Sequence, residues 1–148
     1  MTFHFKEPHM WYWAMGMAKH ISLLSKDPST KVGAVMFDDK KRLLSAGYNG
    51  LPRGVSDTKE RLENRDIKYR MIIHAEVNAL SFATGQTEGS TLFCTHPCCT
   101  QCAAQVIQRG VAHVCWPLPD AAFVDRWSSD MKLSEEMFKE VGVQIHVR

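Results

Sequence analysis

Two short segments of the chain carry residue types that bind metals and move protons. One begins at His74 and reads His-Ala-Glu, and the other spans residues 97–102 and reads Pro-Cys-Cys-Thr-Gln-Cys. Zinc takes imidazole and thiolate ligands, and a site with three protein ligands keeps a fourth position for water. Glu76 need not bind the metal and can move protons between that water and a substrate. The two segments predict a zinc site held by His74, Cys99 and Cys102, with Glu76 as the catalytic residue.

Two pairs of cysteines can complete this site. Cys99 and Cys102 are three residues apart at the start of a predicted helix, so both thiols can face one ion, and a helix N-terminus favours the thiolate form. Cys98 with Cys102 would also face one side and stays an alternative. A His-x-Glu followed by Pro-Cys-x-x-Cys is the signature of zinc deaminases. This chain departs from it, because Cys98 stands between Pro97 and Cys99.

Other interpretations of the same residues stay open. A Cys-x-x-Cys pair can be a redox centre, and a structural zinc with four closed ligands could recruit Cys94 or Cys98. Glu76 has a role only in a catalytic site, which favours that interpretation. Cys94 and Cys115 lie in predicted strands and are interpreted as core residues. His96 lies beside the cysteine segment, where a substrate contact and a surface or supporting role are both possible.

Length and charge exclude several classes of protein. The chain has 148 residues, 45% of them apolar, which predicts one domain over residues 1–148. Its formal net charge is +2, from 18 basic and 16 acidic residues, so we expect neither nucleic acid nor a membrane as partner. No apolar run approaches the roughly 20 residues of a membrane span. Residues 1–10 have no apolar core flanked by a cleavage site, so we do not expect them to be a secretion signal. We expect a cytoplasmic protein.

The hydrophobic pattern predicts helices that alternate with short strands. Helices are predicted at residues 11–24, 74–83, 99–109 and 131–141, and strands at 32–37, 43–48, 90–95, 111–116 and 143–147. Residues 50–69 are predicted as a loop with some helix, and residues 117–129 as irregular. This order predicts an α/β sandwich, and the early hairpin makes its sheet mixed.

Four segments together give the chain a family resemblance. They are residues 25–35 (Ser-Lys-Asp-Pro-Ser-Thr-Lys-Val-Gly-Ala-Val), 47–54 (Gly-Tyr-Asn-Gly-Leu-Pro-Arg-Gly) and 74–79 (His-Ala-Glu-Val-Asn-Ala), and the cysteine motif followed by Ala103. Over nearly its whole length the chain resembles the deoxycytidylate (dCMP) deaminases of the cytidine deaminase-like superfamily. Segment 47–54 is the discriminating one, because nucleoside and tRNA deaminases share the zinc motif but differ there.

The resemblance implies a fold, a reaction and a form of regulation. The implied fold is a three-layer α/β/α arrangement with a mixed five-stranded sheet. The implied reaction converts dCMP to dUMP with release of ammonia. A homo-oligomer, commonly a homohexamer, is also implied, activated by dCTP and inhibited by dTTP, with Mg²⁺ on the triphosphate. Some relatives hold a second zinc with cysteine and histidine near residues 55–58. This chain has neither residue there, so we expect one Zn²⁺ per subunit.

The resemblance also assigns substrate contacts. Asn49 is expected to contact the sugar, although Asn-Gly is also a frequent turn pair. The backbone N–H of Ala75 is expected to donate to the pyrimidine carbonyl. Ser29, Thr30 and Lys31 are expected to hold the 5′-phosphate, since hydroxyls and a point charge suit a phosphate. The alternative for these three residues is a solvated turn.

Two further groups of residues are expected to bind nucleotides. Arg126 suits phosphate recognition and Trp127 suits stacking on a base, although Trp127 could instead pack on the last helix. The loop from Gly50 to Gly54 resembles the regulatory nucleotide site of the family. Its glycines would let the backbone approach phosphates closely; an ordinary loop is the alternative. The expected regulatory residues are Gly47, Tyr48, Gly50, Leu51, Pro52, Arg53 and Gly54.

Two other functions fit part of the pattern. A deaminase of bases in RNA or single-stranded DNA would share the zinc motif, but such enzymes usually need a basic track or a stacking platform, and the net charge is nearly neutral. A non-catalytic binding module stabilised by zinc would instead have a closed site with four ligands.

Overall fold

A mixed five-stranded sheet lies at the centre of the computed structural model, which describes residues 1–148. Its strands are β1 (Gly33–Phe37), β2 (Leu43–Tyr48), β3 (Thr91–Cys94), β4 (His113–Trp116) and β5 (Gln144–Val147). The order across the sheet is β2-β1-β3-β4-β5. β1 pairs antiparallel with β2 and with β3, whereas β3–β4 and β4–β5 are parallel pairs. A hairpin joins β1 to β2, and helices make the crossovers that parallel strands require.

Six helices surround the sheet. They are α1 (Pro8–Ser22), α2 (Lys59–Glu63), α3 (Arg65–Met71), α4 (Ala75–Phe82), α5 (Thr100–Gln108) and α6 (Ala121–Val141). α1 packs on one face of the sheet, and α4 and α5 pack on the other face together with Phe138 of α6. The predicted three-layer α/β/α arrangement with a mixed five-stranded sheet is therefore confirmed.

Strand alternation divides the core into two clusters. Successive side chains of a strand point to opposite faces, so Val35 and Phe37 of β1 face α1, whereas Ala34 and Met36 face α4 and α5. All five residues of β1 are buried. Burial on both faces explains why this central strand is a continuous apolar run in the sequence.

One segment differs from the sequence-based expectation. Residues 117–129 are predicted as irregular, which is wrong, because α6 begins at Ala121. Asp120 caps this helix, and its side chain accepts a 2.8 Å hydrogen bond from the N–H of Phe123. The apolar residues of the first turns, Phe123 and Trp127, face a cavity rather than the sheet, so the hydrophobic pattern of a core helix is weak there.

The polar segment 50–69 contains two short capped helices. The side chains of Thr58 and Asn64 accept hydrogen bonds from the N–H groups of Arg61 and Ile67, which explains where α2 and α3 begin. A two-way backbone bridge then joins Gly50 to Ile73, with N···O distances of 3.1 and 2.8 Å. This bridge fixes the chain directly before His74. None of the six helices is both long and apolar enough to cross a bilayer.

Candidate active site

The N-termini of α4 and α5 meet and bring the predicted metal ligands together. His74 is the N-cap residue of α4, Cys99 is the N-cap residue of α5, and Cys102 is in the first turn of α5. His74 Nδ1 lies 3.2 Å from the sulfur of Cys102 and 3.4 Å from the sulfur of Cys99, and all three ligand atoms lie within 4.8 Å of one another. Ligand atoms on one tetrahedral zinc are about 3 to 4 Å apart, so this arrangement fits the ion.

The electrostatics of the pair of cysteines also suit a cation. The thiol and the backbone N–H of Cys102 and the ring of His74 hydrogen-bond the sulfur of Cys99, which lowers the pKa of Cys99 to about 4. The same bond raises the pKa of Cys102, because that thiol holds the proton of the pair. Hydrogen bonding to Cys99 raises the pKa of His74. The hydrogen bonds to the sulfur of Cys99 therefore favour its thiolate form, which is the form that zinc binds.

Cys98, the alternative ligand, is not one of the three residues whose ligand atoms converge. It is 1% exposed and belongs to the core cluster beneath α4 and α5. Burial raises the pKa of its thiol well above the usual value, and its backbone carbonyl accepts a 2.9 Å hydrogen bond from the Ser134 hydroxyl. The structure therefore brings Cys99, and not Cys98, to His74.

Glu76 lies beside this group and is almost fully buried. Its side chain is 4% exposed, and Oε1 accepts a 2.8 Å hydrogen bond from the thiol of Cys94 in β3. Burial raises the pKa of Cys94 well above the usual value, which keeps the thiol protonated as a donor. Cys94 is in the core, as its strand position predicts, but the sequence did not indicate its contact with Glu76, which depends on the packing of β3 against α4.

A cavity of about 600 Å³ opens over these residues. That volume is within the usual range for small-molecule sites. Most of the residues predicted to contact substrate line it, but Lys31 is exposed and does not. The lining residues from the predicted catalytic, metal and substrate sets are Ser29, Thr30, Asn49, His74, Ala75, Glu76, Cys99, Arg126 and Trp127.

Asn49 connects two segments of the cavity wall. Its Oδ1 accepts a 2.8 Å hydrogen bond from the N–H of Val32, and its Nδ2 donates to the carbonyl of Thr30 at 2.9 Å and to Asp27 at 3.4 Å. The side chain is 5% exposed. Asn49 is therefore not an ordinary exposed turn residue, and its contact with a sugar stays a prediction.

Aromatic side chains form the opposite wall. Phe123 of α6 lies 5.8 Å from the ring of His96 and 6.4 Å from the ring of Trp127, measured between ring centroids. Burial lowers the pKa of His96, which favours the neutral imidazole. The early start of α6 places Arg126 and Trp127 on this wall. Such a surface suits a planar ring.

The seven residues of the predicted regulatory set do not line the cavity. Gly47 lies so close to α4 that an added Cβ would be 2.5 Å from the nitrogen of Ala79 and 2.7 Å from the carbonyl oxygen of Ala75. Gly54 has a φ of +84°, which favours glycine. The guanidinium of Arg53 lies 5.9 Å from the ring centroid of Phe82. Gly47 thus has a packing role, and a nucleotide site in this segment stays a prediction.

The fold and the group of one histidine and two cysteines beside a buried glutamate define a zinc-dependent deaminase. Residues 10–117 match the cytidine and deoxycytidylate deaminase zinc-binding region, and the chain belongs to that family. An uncharacterized deaminase in the luxG 3′ region of Aliivibrio fischeri is 42% identical over 129 residues, which cover 87% of this chain and 86% of the relative.

Other relatives have a known or probable substrate in their names. The human deoxycytidylate deaminase is 34% identical over 96 residues, covering 61% of this chain and 54% of the human protein. The crystal structure of the dCMP deaminase from cyanophage S-TIM5 in complex with dCMP and dUMP is similar with a TM-score of 0.76 and 26% identity, covering 96% of this chain and 98% of that chain. The chain spans between about half and two thirds of the length of the animal dCMP deaminases that it matches.

Proposed function

We propose that the protein deaminates dCMP to dUMP with release of ammonia. The observation that carries the proposal is the position of Glu76, a buried carboxylate that lines a ligand-sized cavity beside His74 and Cys99. A closed structural zinc site has no need of such a residue. The substrate is supported by the dCMP deaminases among the relatives and by the similar fold of one that binds dCMP and dUMP.

The proposed chemistry is divided between the metal group and Glu76. His74, Cys99 and Cys102 would hold one Zn²⁺, which supplies the Lewis acidity that makes a water molecule nucleophilic at neutral pH. Glu76 would accept one proton from that water and deliver it to the ring nitrogen, and would then carry the second proton of the same oxygen to the amino group, which leaves as ammonia. The N–H of Ala75, the first residue of α4, has no partner within its helix and would donate to the pyrimidine carbonyl.

Binding of the rest of the substrate is assigned to the cavity walls. Asn49 would contact the sugar through the free lone pair of Oδ1, since its amide N–H groups already donate to Thr30 and Asp27. Trp127 would lie against the base. The phosphate would lie near Ser29, Thr30 and Arg126, which line the cavity. Lys31 is the weakest of the predicted phosphate ligands because it lies outside the cavity lining.

Regulation and assembly extend the proposal. We propose that residues 1–148 act as one deaminase domain within a homohexamer, activated by dCTP and inhibited by dTTP, with Mg²⁺ on the triphosphate. Segment 47–54 is the proposed regulatory site. Its bridge from Gly50 to Ile73 connects it to the residue before His74, which supports a link between the two sites.

The decisive experiment measures ammonia released from dCMP by the purified, zinc-loaded protein. We expect turnover of dCMP, faster with dCTP and slower with dTTP. Absence of turnover with and without dCTP would refute the proposal. Single-stranded DNA and RNA oligonucleotides that contain cytosine or adenine serve as competing substrates, and a preference for them would favour a deaminase of nucleic acid bases instead.

The metal assignment has its own matched pair of variants. Cys99→Ala should lose zinc, because it removes one of the three converging ligands, whereas Cys98→Ala should retain it. Zinc content by atomic absorption after gel filtration measures both. The reverse result would make Cys98 the ligand. X-ray absorption at the zinc edge that shows four nitrogen or sulfur donors without oxygen would favour the non-catalytic module.

A further inference from the structure

Hydrogen bonds from α6 hold the chain on both sides of Cys99. On one side, the Ser134 hydroxyl donates to the carbonyl oxygen of Cys98 at 2.9 Å. On the other side, the backbone N–H of Thr100 donates to Asp130 Oδ2 at 2.9 Å, and the Thr100 hydroxyl donates to Asp130 Oδ1 at 2.6 Å. Asp130 and Ser134 are four residues apart, so they lie on one face of α6. This face of α6 therefore fixes the residues before and after a predicted metal ligand.

The contacts between α6 and this loop are shielded from solvent. Ser134 is 1% exposed, and Asp130 and Thr100 are half-buried. A carboxylate near a helix N-terminus also interacts favourably with the helix dipole. None of the three salt bridges of the structure includes Asp130. Its carboxylate therefore serves the N-terminus of α5 and not a basic side chain.

The N-terminus of α5 needs an acceptor from outside because its N-cap residue is a cysteine. Ordinary N-cap side chains are those of Ser, Thr, Asp and Asn, whose oxygen accepts a hydrogen bond from the first turn. Here the sulfur of Cys99 accepts a 3.4 Å hydrogen bond from the N–H of Cys102, and the same sulfur is the predicted metal ligand. Asp130 supplies an oxygen acceptor to this helix end, so Cys99 is not its sole cap.

We propose that Asp130 and Ser134 are positioning residues that set the affinity of the metal group for zinc. They would act through Cys99, by holding its extended backbone in the orientation that directs the sulfur toward His74 and Cys102. The inference rests on the proposed function, because it concerns the zinc ligands of that same site. It assigns α6 a role besides forming the cavity wall, and the sequence indicated neither residue.

The first experiment measures zinc affinity by competition with a chelating indicator of known affinity. Asp130→Ala should weaken zinc binding about 10- to 100-fold, the usual effect of removing a group that orients a metal ligand. Ser134→Ala should weaken it by a smaller factor, because a hydrogen bond between neutral groups is weaker than one to a charged group. Equal zinc affinities of wild type and Asp130→Ala would overturn the inference.

Matched controls for both variants lie on the same helix. Asp125→Ala and Ser129→Ala remove exposed side chains of α6 that lie outside the cavity lining. They make the same chemical changes without touching the loop of Cys99, so zinc affinity should stay the same. Losses as large as those of Asp130→Ala and Ser134→Ala would contradict a specific role of the two positions.

A pair of variants at Thr100 tests the hydrogen bond rather than the bulk of the side chain. Thr100→Val keeps the shape but removes the hydroxyl that donates to Asp130, and it should weaken zinc binding. Thr100→Ser keeps a hydroxyl donor and should retain most of the affinity. If Thr100→Ser loses as much affinity as Thr100→Val, the hydrogen bond is not the cause and the inference fails.

The stability of the metal-free protein separates positioning from a purely structural role. Thr58→Ala removes the side-chain cap of α2 outside the cavity lining, so it should lower the urea midpoint without zinc and leave zinc affinity unchanged. Asp130→Ala should lower both. If the two variants lower the urea midpoint alike and neither changes zinc affinity, the role of Asp130 is structural only and the inference is refuted.

Zinc affinity does not depend on the substrate, so the inference and the proposed function can fail separately. A protein whose zinc affinity depends on Asp130 but which does not deaminate dCMP would support the inference and refute only the proposed function. A protein that deaminates dCMP, with the same zinc affinity in wild type and Asp130→Ala, would refute only the inference.

Discussion

The two faces of the sheet are built from side chains of different size and polarity. On the α1 face, Phe5, Trp11, Phe37 and Phe93 form a cluster in which neighbouring ring centroids lie 4.9 to 5.1 Å apart. On the α4 and α5 face the core consists largely of alanine, cysteine and medium-sized aliphatic residues, and it borders the carboxylate of Glu76.

The α1 face therefore contributes mainly apolar packing, whereas the α4 and α5 face carries the residues of the candidate active site. Large rings on the α1 face bury much apolar area, which contributes to stability. Small residues such as Ala75 and Ala79 let α4 approach the sheet closely, and Gly47 of β2 lies against the backbone of that helix. The same strands therefore anchor the fold on one side and place two helix N-termini on the other.

The largest effect on activity is expected at Glu76, on the α4 and α5 face of the sheet. Glu76→Gln should lower kcat on dCMP by a factor of about 10² to 10⁴, the usual contribution of a general acid–base, because the amide cannot shuttle protons. Zinc content, measured by atomic absorption, should stay the same. Loss of zinc in this variant would make Glu76 a ligand and remove its proposed role.

On the α1 face, the corresponding substitution should affect stability rather than chemistry. Trp11→Ala removes a side chain that is 1% exposed and should lower the free energy of unfolding by about 3–5 kcal/mol. Urea denaturation measures the change, with Trp13→Ala as control, because Trp13 on the same helix is 53% exposed. If the two variants unfold at the same urea concentration, the aromatic cluster is not the main source of stability.

A pair of cysteine variants compares the two faces directly. Cys94→Val removes the hydrogen bond to Glu76 and should lower kcat by a factor of about 10 to 10², since a lost bond to a charged group is worth about 1.5–3 kcal/mol. Cys115→Val changes a buried cysteine on the α1 face and should leave kcat unchanged. Steady-state kinetics at equal zinc content tests the pair. Equal activities would show that Cys94 does not position Glu76.

The smallest effect concerns a pair of histidines at the edge of the α1 face. His113 Nδ1 and His146 Nε2 lie 3.1 Å apart, and burial together with His113 lowers the pKa of His146 to about 4. The unfolded chain then binds more protons than the folded chain between pH 6.5 and about 4, so stability falls as the pH drops through this window. Urea denaturation of wild type and His146→Gln should show a smaller decline in the variant; parallel declines would contradict the assignment.

The sequence predicts local features of the site well and long-range contacts poorly. His74, Cys99 and Cys102 are brought together as their spacing at two helix starts predicts. The hydrogen bond from Arg126 to Tyr69 joins side chains of α6 and α3 that are 57 positions apart in the chain. No spacing rule indicates such a contact. The start of α6 is predicted too late because the cavity-facing rings of its first turns do not follow the pattern of a core helix.

Two of the three converging ligands, His74 and Cys99, are N-cap residues. This position determines where the chain can gain or lose residues without moving the ligands. The backbone of His74 has φ −73° and ψ 155°, and that of Cys99 has φ −71° and ψ 167°, so both are extended and precede their helices. Their separation is set by the two incoming loops and not by the helical repeat. Insertions or deletions at the C-terminal ends of α4 and α5 should therefore be tolerated by the metal group. The loops before residues 74 and 99 should accept almost none.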